Sequence, residues 1–175
     1  MEVFKEKPRY SDALALGLLA IALCSLLVVG YAWDMAAKAS VGLLYLANIK
    51  TYYLAPLPTV FMRLLDGSTV GFQILVECSG FVSVAIFSFL FVFTVGLFKG
   101  RLRTKIVFFI LSIVIGLIWN VNRLAFVMAV AYRFGLGAFF VVHYIVSPTI
   151  DFLWIVAMWS LTMSRLRIET AAVAP

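Results

Sequence analysis

Long runs of apolar residues alternate along this chain with short basic clusters. Three of these runs, at 13–31, 81–98 and 106–122, contain no charged residue, and a fourth near the C-terminus is interrupted only by Asp151. A helix that crosses a membrane needs about 20 mostly apolar residues, within a range of about 17–25. The pattern therefore predicts about four spanning helices, at approximately 13–32, 80–98, 106–122 and 144–164.

Residues 33–79, between the first two predicted spans, are too apolar for an ordinary loop. The part at 41–65 contains Lys50 and Arg63 and is broken by a Pro-Leu-Pro stretch. It is too short to cross the membrane twice, and a single crossing would reverse the charge pattern described below. We therefore predict interfacial or re-entrant helices in this first external segment.

Three further features complete the external part of the chain. Asp66-Gly67 is a turn signal, and 71–76 is expected to form a short strand or an extended lead-in to the second span. The second external segment, 123–143, is apolar but is interrupted by Arg133, so it is too short to span. We predict a shallow helix and loop there, near the membrane surface.

The basic clusters predict the orientation of these helices. Basic residues concentrate in cytoplasmic loops, so four crossings put every cluster and both termini in the cytoplasm. The expected fold class is an all-α polytopic membrane protein with both external segments on the opposite face. The clusters lie before the first span, between the second and third spans, and after the fourth (Lys5, Lys7, Arg9; Lys99, Arg101, Arg103, Lys105; Arg165, Arg167).

Composition supports a lipid environment. Of the 175 residues, 65% are hydrophobic and 13% are charged, and the mean hydropathy is +1.10. Soluble domains average about 45–50% apolar and about 25% charged residues, so lipid must solvate part of the excess. The net charge of +6 does not indicate nucleic-acid binding, because the basic residues flank the apolar runs.

The first apolar run is expected to remain as a membrane helix and not to be removed as a signal peptide. It spans about 19 uncharged residues, whereas the apolar core of a signal peptide has about 7–15. The two cysteines, Cys24 and Cys78, lie at different predicted depths. A disulfide needs its two Cα atoms close together, so we expect both thiols to be free.

Polar residues at the predicted outer ends of the helices are candidates for chemistry. A polar residue inside or beside a membrane helix is costly and often has a function. The candidates are Glu77, Cys78 and Ser79 before the second span, Asn120 and Arg123 at the end of the third, and His143 and Asp151 at the start of the fourth.

Each of four candidates also has an ordinary structural explanation. Cys78 is a small packing residue or, at a helix N-terminus, an activated thiol. Arg123 is a headgroup anchor or an oxyanion donor. His143 is a hydrogen-bonded interfacial residue or a proton carrier, and Asn120 bonds a partner helix or orients a neighbour. Taken singly, these residues leave both explanations open.

The two acidic candidates have alternatives as well. Asp151 lies in the first turn of a helix that begins at Ser147-Pro148, or deeper in a helix that begins earlier. In the second case it needs a partner such as Arg123 or Arg133. Pairing of Glu77 with one of these arginines is a further alternative.

The predicted topology brings three of these residues to one level. At 1.5 Å per residue the second span descends about 27 Å and the third returns about 25 Å. Arg123 therefore comes back to the level of Cys78, with His143 on the same face. A thiolate that attacks a carbonyl, an imidazole that shuttles protons and a cation that holds the oxyanion are the groups that thiol acyl transfer requires.

At these residues the chain resembles the exosortase/archaeosortase family of membrane transpeptidases. The resemblance rests on Cys78-Ser79-Gly80 at the head of a membrane helix, on Asn120-x-x-Arg123 at the end of the next helix, and on a single downstream histidine, His143. It covers about residues 40–165, with the motifs in the family's order.

The resemblance implies a function and the residues that perform it. Such enzymes cleave surface proteins that carry a C-terminal sorting signal, composed of a short motif, a hydrophobic helix and a basic cluster, and pass the acyl group to an acceptor, often a lipid. By this analogy Cys78 is the nucleophile, His143 the general acid/base and Arg123 the oxyanion stabiliser, on the extracytoplasmic side of the plasma membrane. No cofactor or metal is expected. The supporting residues would be Asn120, Glu77, Ser79 and Asp151.

Two non-enzymatic classes remain as alternatives. One is a membrane assembly factor that holds partner helices, and the other is a small transporter or channel subunit. A transporter would need charges that face a pore at mid-membrane, and the first three predicted spans have none there. Only the enzyme requires an externally accessible Cys78 that reacts faster than an ordinary thiol.

Overall fold

The protein is mostly helical. The computed structural model describes residues 10–29 and 31–173, so the basic cluster at Lys5, Lys7 and Arg9 lies outside the described residues. The five helices are α1 (Tyr10–Val29), α2 (Ala32–Leu46), α3 (Phe81–Phe91), α4 (Leu102–Val141) and α5 (Ser147–Val173).

Within the described residues, two helical stretches are long and apolar enough to cross a membrane, Tyr10–Val28 and Leu102–Ile168. A third apolar stretch, Phe81–Gly96, is shorter and comprises α3 and a π-helical turn at Val92–Gly96. The helices begin within a few residues of the predicted spans, but α4 continues to Val141 and α5 to Val173, well beyond the predicted ends at 122 and 164. The number of crossings and their orientation stay predictions.

The longest helical stretch folds back on itself at Gly135. This residue has φ 79° and ψ −179°, a conformation that glycine adopts without the steric cost of a Cβ atom. The segments before and after the reversal, in α4 and α5, pack against each other. They are so close that a Cβ at Gly116 would lie 2.6 Å from the Trp154 ring. The predicted helix in 123–143 is present, but the predicted loop is wrong, because one glycine is enough to reverse the chain and the flanking residues stay helical.

One buried hydrophobic cluster centres on α3. Its Phe87 and Phe91 contact Phe109 of α4, with ring centroids 6.2 and 5.1 Å apart, and all three side chains are fully buried. Leu16 of α1 and Ile155 of α5 belong to the same cluster. The first apolar run is therefore an integral part of the packed core. Both cysteines are free, as predicted.

A buried ion pair ties α1 to the link between α3 and α4. Lys105 is fully buried, and its Nζ donates to Asp12 Oδ2 at 2.8 Å and to the carbonyls of Gly96 and Phe98 at 3.0 and 2.6 Å. These carbonyls belong to the end of the π-helical turn and the residues after it, where helical acceptors lack backbone donors. The expectation that Lys105 only marks the cytoplasmic side is thus incomplete, because it also closes the end of a helix.

Residues 51–73 form a three-stranded antiparallel sheet, so the interfacial or re-entrant helices predicted for 41–65 are present only to Leu46, in α2. The strands β1 (Thr51–Leu54), β2 (Thr59–Arg63) and β3 (Thr69–Gln73) pair in the order β1-β2-β3. The expectation of an all-α fold is wrong here. Alternate residues of β2 are buried, which is the strand period of two, and β-branched and aromatic residues are typical of strands.

Two other predictions in this segment, a turn and a short strand, agree better with the structure. The turn at Asp66-Gly67 is confirmed: Gly67 has φ 88°, and Asp66 Oδ1 accepts a hydrogen bond from the Ser68 N–H at 2.9 Å. The strand expected at 71–76 is confirmed in part, since β3 begins two residues earlier and ends at Gln73.

Together, α2 and the sheet form a cap, defined here as residues 32–73, over the second half of α4, which begins near Arg123. Leu44, Val60 and Met62 of the cap share one buried cluster with Leu124 and Met128 of α4. From Leu102 to the reversal α4 would extend about 50 Å, whereas the hydrocarbon core of a bilayer is about 30 Å thick. The cap therefore covers the part of α4 that extends beyond such a core.

A polar contact fastens the sheet to α2. The Tyr53 hydroxyl donates to Asp34 Oδ1, and Lys38 Nζ donates to Asp34 Oδ2 at 2.7 Å. These bonds lower the pKa of Asp34, with the Lys38 bond as the largest cause. Burial, followed by the bond to Asp34, raises the pKa of Tyr53 to about 12. The hydroxyl therefore stays protonated and donates over the whole physiological range.

Candidate active site

Cys78 lies on a short turn between the cap and α3. The turn is a 3-10 helix at Val76–Ser79, and the Cys78 N–H donates to the Leu75 carbonyl at 3.0 Å. The α-helix begins at Phe81 and not at Cys78 or Ser79, so the Cys78 amide is not among its free N-terminal donors. Ser79 Oγ accepts a hydrogen bond from the Phe81 N–H at 3.3 Å, which supports the start of α3.

Asn120 of α4 forms a hydrogen bond with this turn. Its side chain is 3% exposed, and its Nδ2 donates to the Cys78 carbonyl at 3.1 Å. Gly80 packs directly on the same amide, since a Cβ there would lie 2.9 Å from Asn120 Cγ. Gly80 also has φ 82°, which favours glycine. The Cys-Ser-Gly sequence and Asn120 are therefore parts of one contact.

Arg123 links the turn to α5. Its Nη2 donates to the Cys78 carbonyl at 3.4 Å, and its Nη1 forms an ion pair with Asp151 Oδ2. The side chains of Arg123 and Asp151 are 11% and 14% exposed. The guanidinium therefore lies between the candidate nucleophile's backbone and a shielded carboxylate.

Asp151 takes the deeper of its two predicted positions. Ser147 has helical angles, φ −62° and ψ −49°, and continues a π-helical turn at Val142–Val146, so it is not a helix N-cap. Of the two partners considered, the carboxylate pairs with Arg123, while Arg133 is exposed. Pairing of Glu77 with Arg123 is not found, because Asp151 holds that arginine and Glu77 points into an exposed position.

His143 lies in the π-helical turn, which is a distortion often found at functional sites. Its ring is half-buried, stacks on Phe139 with centroids 5.2 Å apart, and meets Tyr144 edge-on at 4.8 Å. Phe139 in turn contacts Phe72 of β3 at 4.9 Å. Through Phe139, the histidine is therefore connected to the border of the cap.

The candidates thus fall into a linked set and three other residues. Cys78, Asn120, Arg123 and Asp151 form one hydrogen-bonded network, whereas the His143 ring contacts Phe139 and Tyr144. Ser79 contributes to the turn, and Glu77 is exposed. The chemical roles of all these residues stay predictions.

Two residues of the network were not foreseen from the sequence. Trp119 Nε1 donates to Asp151 Oδ1 at 3.3 Å, and Ser83 Oγ donates to Asp151 Oδ2 at 3.4 Å. Ser83 offered a signal, because it is a polar residue in an apolar helix, one turn after Ser79. Trp119 offered none, since an indole near a helix end is also typical of a membrane interface.

The part of the chain that the structure describes contains no cluster of three or more His, Cys, Asp or Glu residues that could hold a metal ion. The network instead joins an amide, a guanidinium and a carboxylate to the backbone carbonyl of Cys78, a residue whose thiol is free. Such groups can carry out nucleophilic attack and stabilise an anion.

Comparison with protein families finds one model, described as transmembrane exosortase, that matches residues 7–160. The match includes every residue of the network. Comparisons with curated proteins and with solved structures found no match.

Proposed function

The chain belongs to the transmembrane exosortase family, and on that premise we propose that it is a membrane-embedded cysteine transpeptidase. Its substrates would be surface proteins with a C-terminal sorting signal, made of a short motif, a hydrophobic helix and a basic cluster. It would cleave them through a Cys78 thioester and transfer the acyl group to an acceptor, with a lipid as the proposed class. The active site would lie on the extracytoplasmic side of the plasma membrane.

One observation carries the proposal: Arg123 donates to the backbone of Cys78 while Asp151 holds the opposite arm of its guanidinium. The cation is thereby kept beside the residue whose thiol would attack the substrate. A simple headgroup anchor would have no need for contact with Cys78 or for a shielded carboxylate partner.

In the first step, the Cys78 thiolate attacks the carbonyl carbon of the scissile peptide bond. The Arg123 guanidinium stabilises the oxyanion that forms. The carbon–nitrogen bond then breaks, and His143 in its protonated form delivers a proton to the leaving amine. The products are a thioester on Cys78 and a released C-terminal helix with a free amino group.

In the second step, the acceptor replaces the enzyme at the acyl carbon. A hydroxyl or amine of the acceptor gives its proton to neutral His143 and attacks the thioester. The carbon–sulfur bond breaks and the Cys78 thiolate is restored. Water in place of the acceptor would give hydrolysis, so the balance between transfer and hydrolysis depends on how well water is kept out.

The cap supports such exclusion of water. Cys78 packs against the buried cluster that the cap shares with α4, and it is only half-buried, so one side of the residue stays open. Covering a reactive intermediate in this way limits its hydrolysis. The apolar faces of the helices would allow a substrate helix to approach the site laterally from the lipid.

Co-expression with reporter proteins tests the proposal. Each reporter carries a C-terminal segment of motif, apolar helix and basic cluster taken from a protein of the same host, and processing is followed by gel shift. Cys78→Ala, Arg123→Ala and His143→Ala should abolish processing, whereas Cys24→Ala, at the other free thiol, should not. Normal processing by Cys78→Ala would overturn the enzyme proposal.

A further inference from the structure

Asp151 is the meeting point of three helices. Its Oδ2 accepts hydrogen bonds from Arg123 and from Ser83 Oγ at 3.4 Å, and its Oδ1 accepts one from Trp119 Nε1 at 3.3 Å. The donors come from α3 and α4, and the carboxylate comes from α5. Both carboxylate oxygens are engaged, so the orientation of the group is defined from two sides.

The Asp151 carboxylate and Arg123 do not form a solvent-exposed surface ion pair. The two partners are 14% and 11% exposed, whereas the charged residues Glu77 and Arg133 are exposed. A carboxylate in an apolar helix is costly unless it is paired, and Asp151 has more donors than neutralisation alone requires.

The network fixes the position of Arg123 without engaging all of its N–H donors. A guanidinium has five N–H donors in a rigid planar fork. Among the described residues, one arm is directed to Asp151 and the other to the Cys78 carbonyl at 3.4 Å. The plane of the group is thus fixed, and further N–H donors remain for a third acceptor near Cys78.

We infer that Asp151 is a positioning residue for the Arg123 guanidinium, and that Trp119 and Ser83 act on Arg123 only through Asp151. The inference rests on the proposed function, because it assigns a purpose to the orientation of Arg123 in acyl transfer. Asp151 touches no reacting atom. It holds the cation at the place where the oxyanion of the substrate develops, so its loss should slow the chemical step and leave substrate binding largely intact.

The test uses the purified full-length chain in lipid nanodiscs and the reporter that the wild type processes. Asp151→Asn keeps the shape of the side chain and removes its charge. We expect the maximal processing rate to fall at least tenfold with KM within threefold, since misplacing a catalytic group by about 1 Å can cost about 100-fold. Asp151→Glu keeps the charge and should process faster than Asp151→Asn. A processing rate of Asp151→Asn within twofold of the wild type would overturn the inference.

Two milder variants keep the test decisive if Asp151→Asn does not fold. Ser83→Ala and Trp119→Phe each remove one bond to the carboxylate and keep the ion pair, and each should lower the maximal rate about two- to fivefold without a change in KM. Wild-type rates in both would overturn the inference. Processing by Cys78→Ala would instead overturn the proposed function itself, so the two failures are distinguishable.

Discussion

The Asn120 side-chain amide donates a hydrogen bond of 3.1 Å to the backbone carbonyl of Cys78, across 42 positions of the chain. Because Arg123 lies one turn further along α4, the same carbonyl also receives its Nη2 at 3.4 Å. The spacing Asn-x-x-Arg thus places both donors on one side of a helix. Two of the three motifs on which the family resemblance rested are in contact, and the backbone of the proposed nucleophile is the point of contact.

Gly80→Ala should disrupt this contact. The added Cβ would lie 2.9 Å from Asn120 Cγ and would have to adopt φ 82°. The left-handed conformation costs a non-glycine residue about 1–2 kcal/mol, and overpacking a buried site costs about 1–3 kcal/mol more. We expect a lower thermal unfolding midpoint in detergent and a large loss of processing.

Gly42→Ala is the matched control for this prediction. Gly42 lies in α2, and a Cβ there would meet no atom within 4 Å. It should leave stability unchanged or slightly raised, because alanine favours helix over glycine. If the two variants were equally stable and equally active, the close contact between Gly80 and Asn120 would have no importance.

Lys105→Met should destabilise the protein strongly. Its removal takes a buried cation away from Asp12 and takes this donor away from the Gly96 and Phe98 carbonyls. Removing one partner of a buried ion pair costs about 3–5 kcal/mol. Arg103→Ala, which removes an exposed charge from the same basic link, should change the free energy of unfolding by no more than about 0.5 kcal/mol.

The Lys105 prediction can be checked by a double variant. Lys105→Met combined with Asp12→Leu removes both charges, and replacing a whole buried pair by apolar residues is often close to neutral. Thermal unfolding in detergent should therefore show the double variant to be more stable than Lys105→Met alone. A double variant that is less stable than Lys105→Met would mean that the charge pair is not the cause.

The contact between Tyr53 and Asp34 should make the stability of the cap depend on pH. The pKa of Asp34 is lower in the folded than in the unfolded protein. Its contribution to the free energy of unfolding is therefore present above the unfolded pKa of about 3.9, and it is lost as the pH falls through the folded pKa. The pKa of Tyr53 is raised to about 12. Its contribution is therefore complete below its ordinary pKa of 10.0 and is lost as the pH rises through about 12.

Tyr53→Phe removes the hydroxyl, and with it the effect at Tyr53 and part of the effect at Asp34, whose bond from Lys38 remains. The difference in unfolding midpoint between the wild type and this variant should be constant from about pH 5 to about pH 9 and should shrink outside that range. Tyr52→Phe, at the exposed neighbouring tyrosine, should show no such difference. A Tyr53→Phe difference that does not change with pH would contradict the role of this hydrogen bond.

The sequence predicted the helices well because long uncharged runs in lipid have few alternatives to a helix. The helix prediction failed at 51–65, where the strands have only four or five residues. Both the helix period of about 3.6 residues and the strand period of two fit so short an apolar stretch. The sequence also did not reveal that Lys105 is buried, because only the fold brings Asp12 to its side.

The site was predictable in part. Cys78, Asn120 and Arg123 could be foreseen together, because the predicted lengths of two consecutive helices return the chain to the same level. The partner of Asp151 depended on where α5 begins, and the misleading Ser147-Pro148 signal left that open. Trp119 and Ser83 escaped notice because their role arises only when three helices pack together.

The most direct test of the central claim is to detect the covalent intermediate. The purified chain is incubated with the reporter, quenched in acid and digested, and the Cys78 peptide is examined by mass spectrometry for an acyl adduct that hydroxylamine removes. We predict this thioester on Cys78 in the wild type and in Cys24→Ala, and none in Cys78→Ala. Processing without any adduct on Cys78, or an adduct on Cys24 instead, would contradict the assignment of Cys78 as the nucleophile.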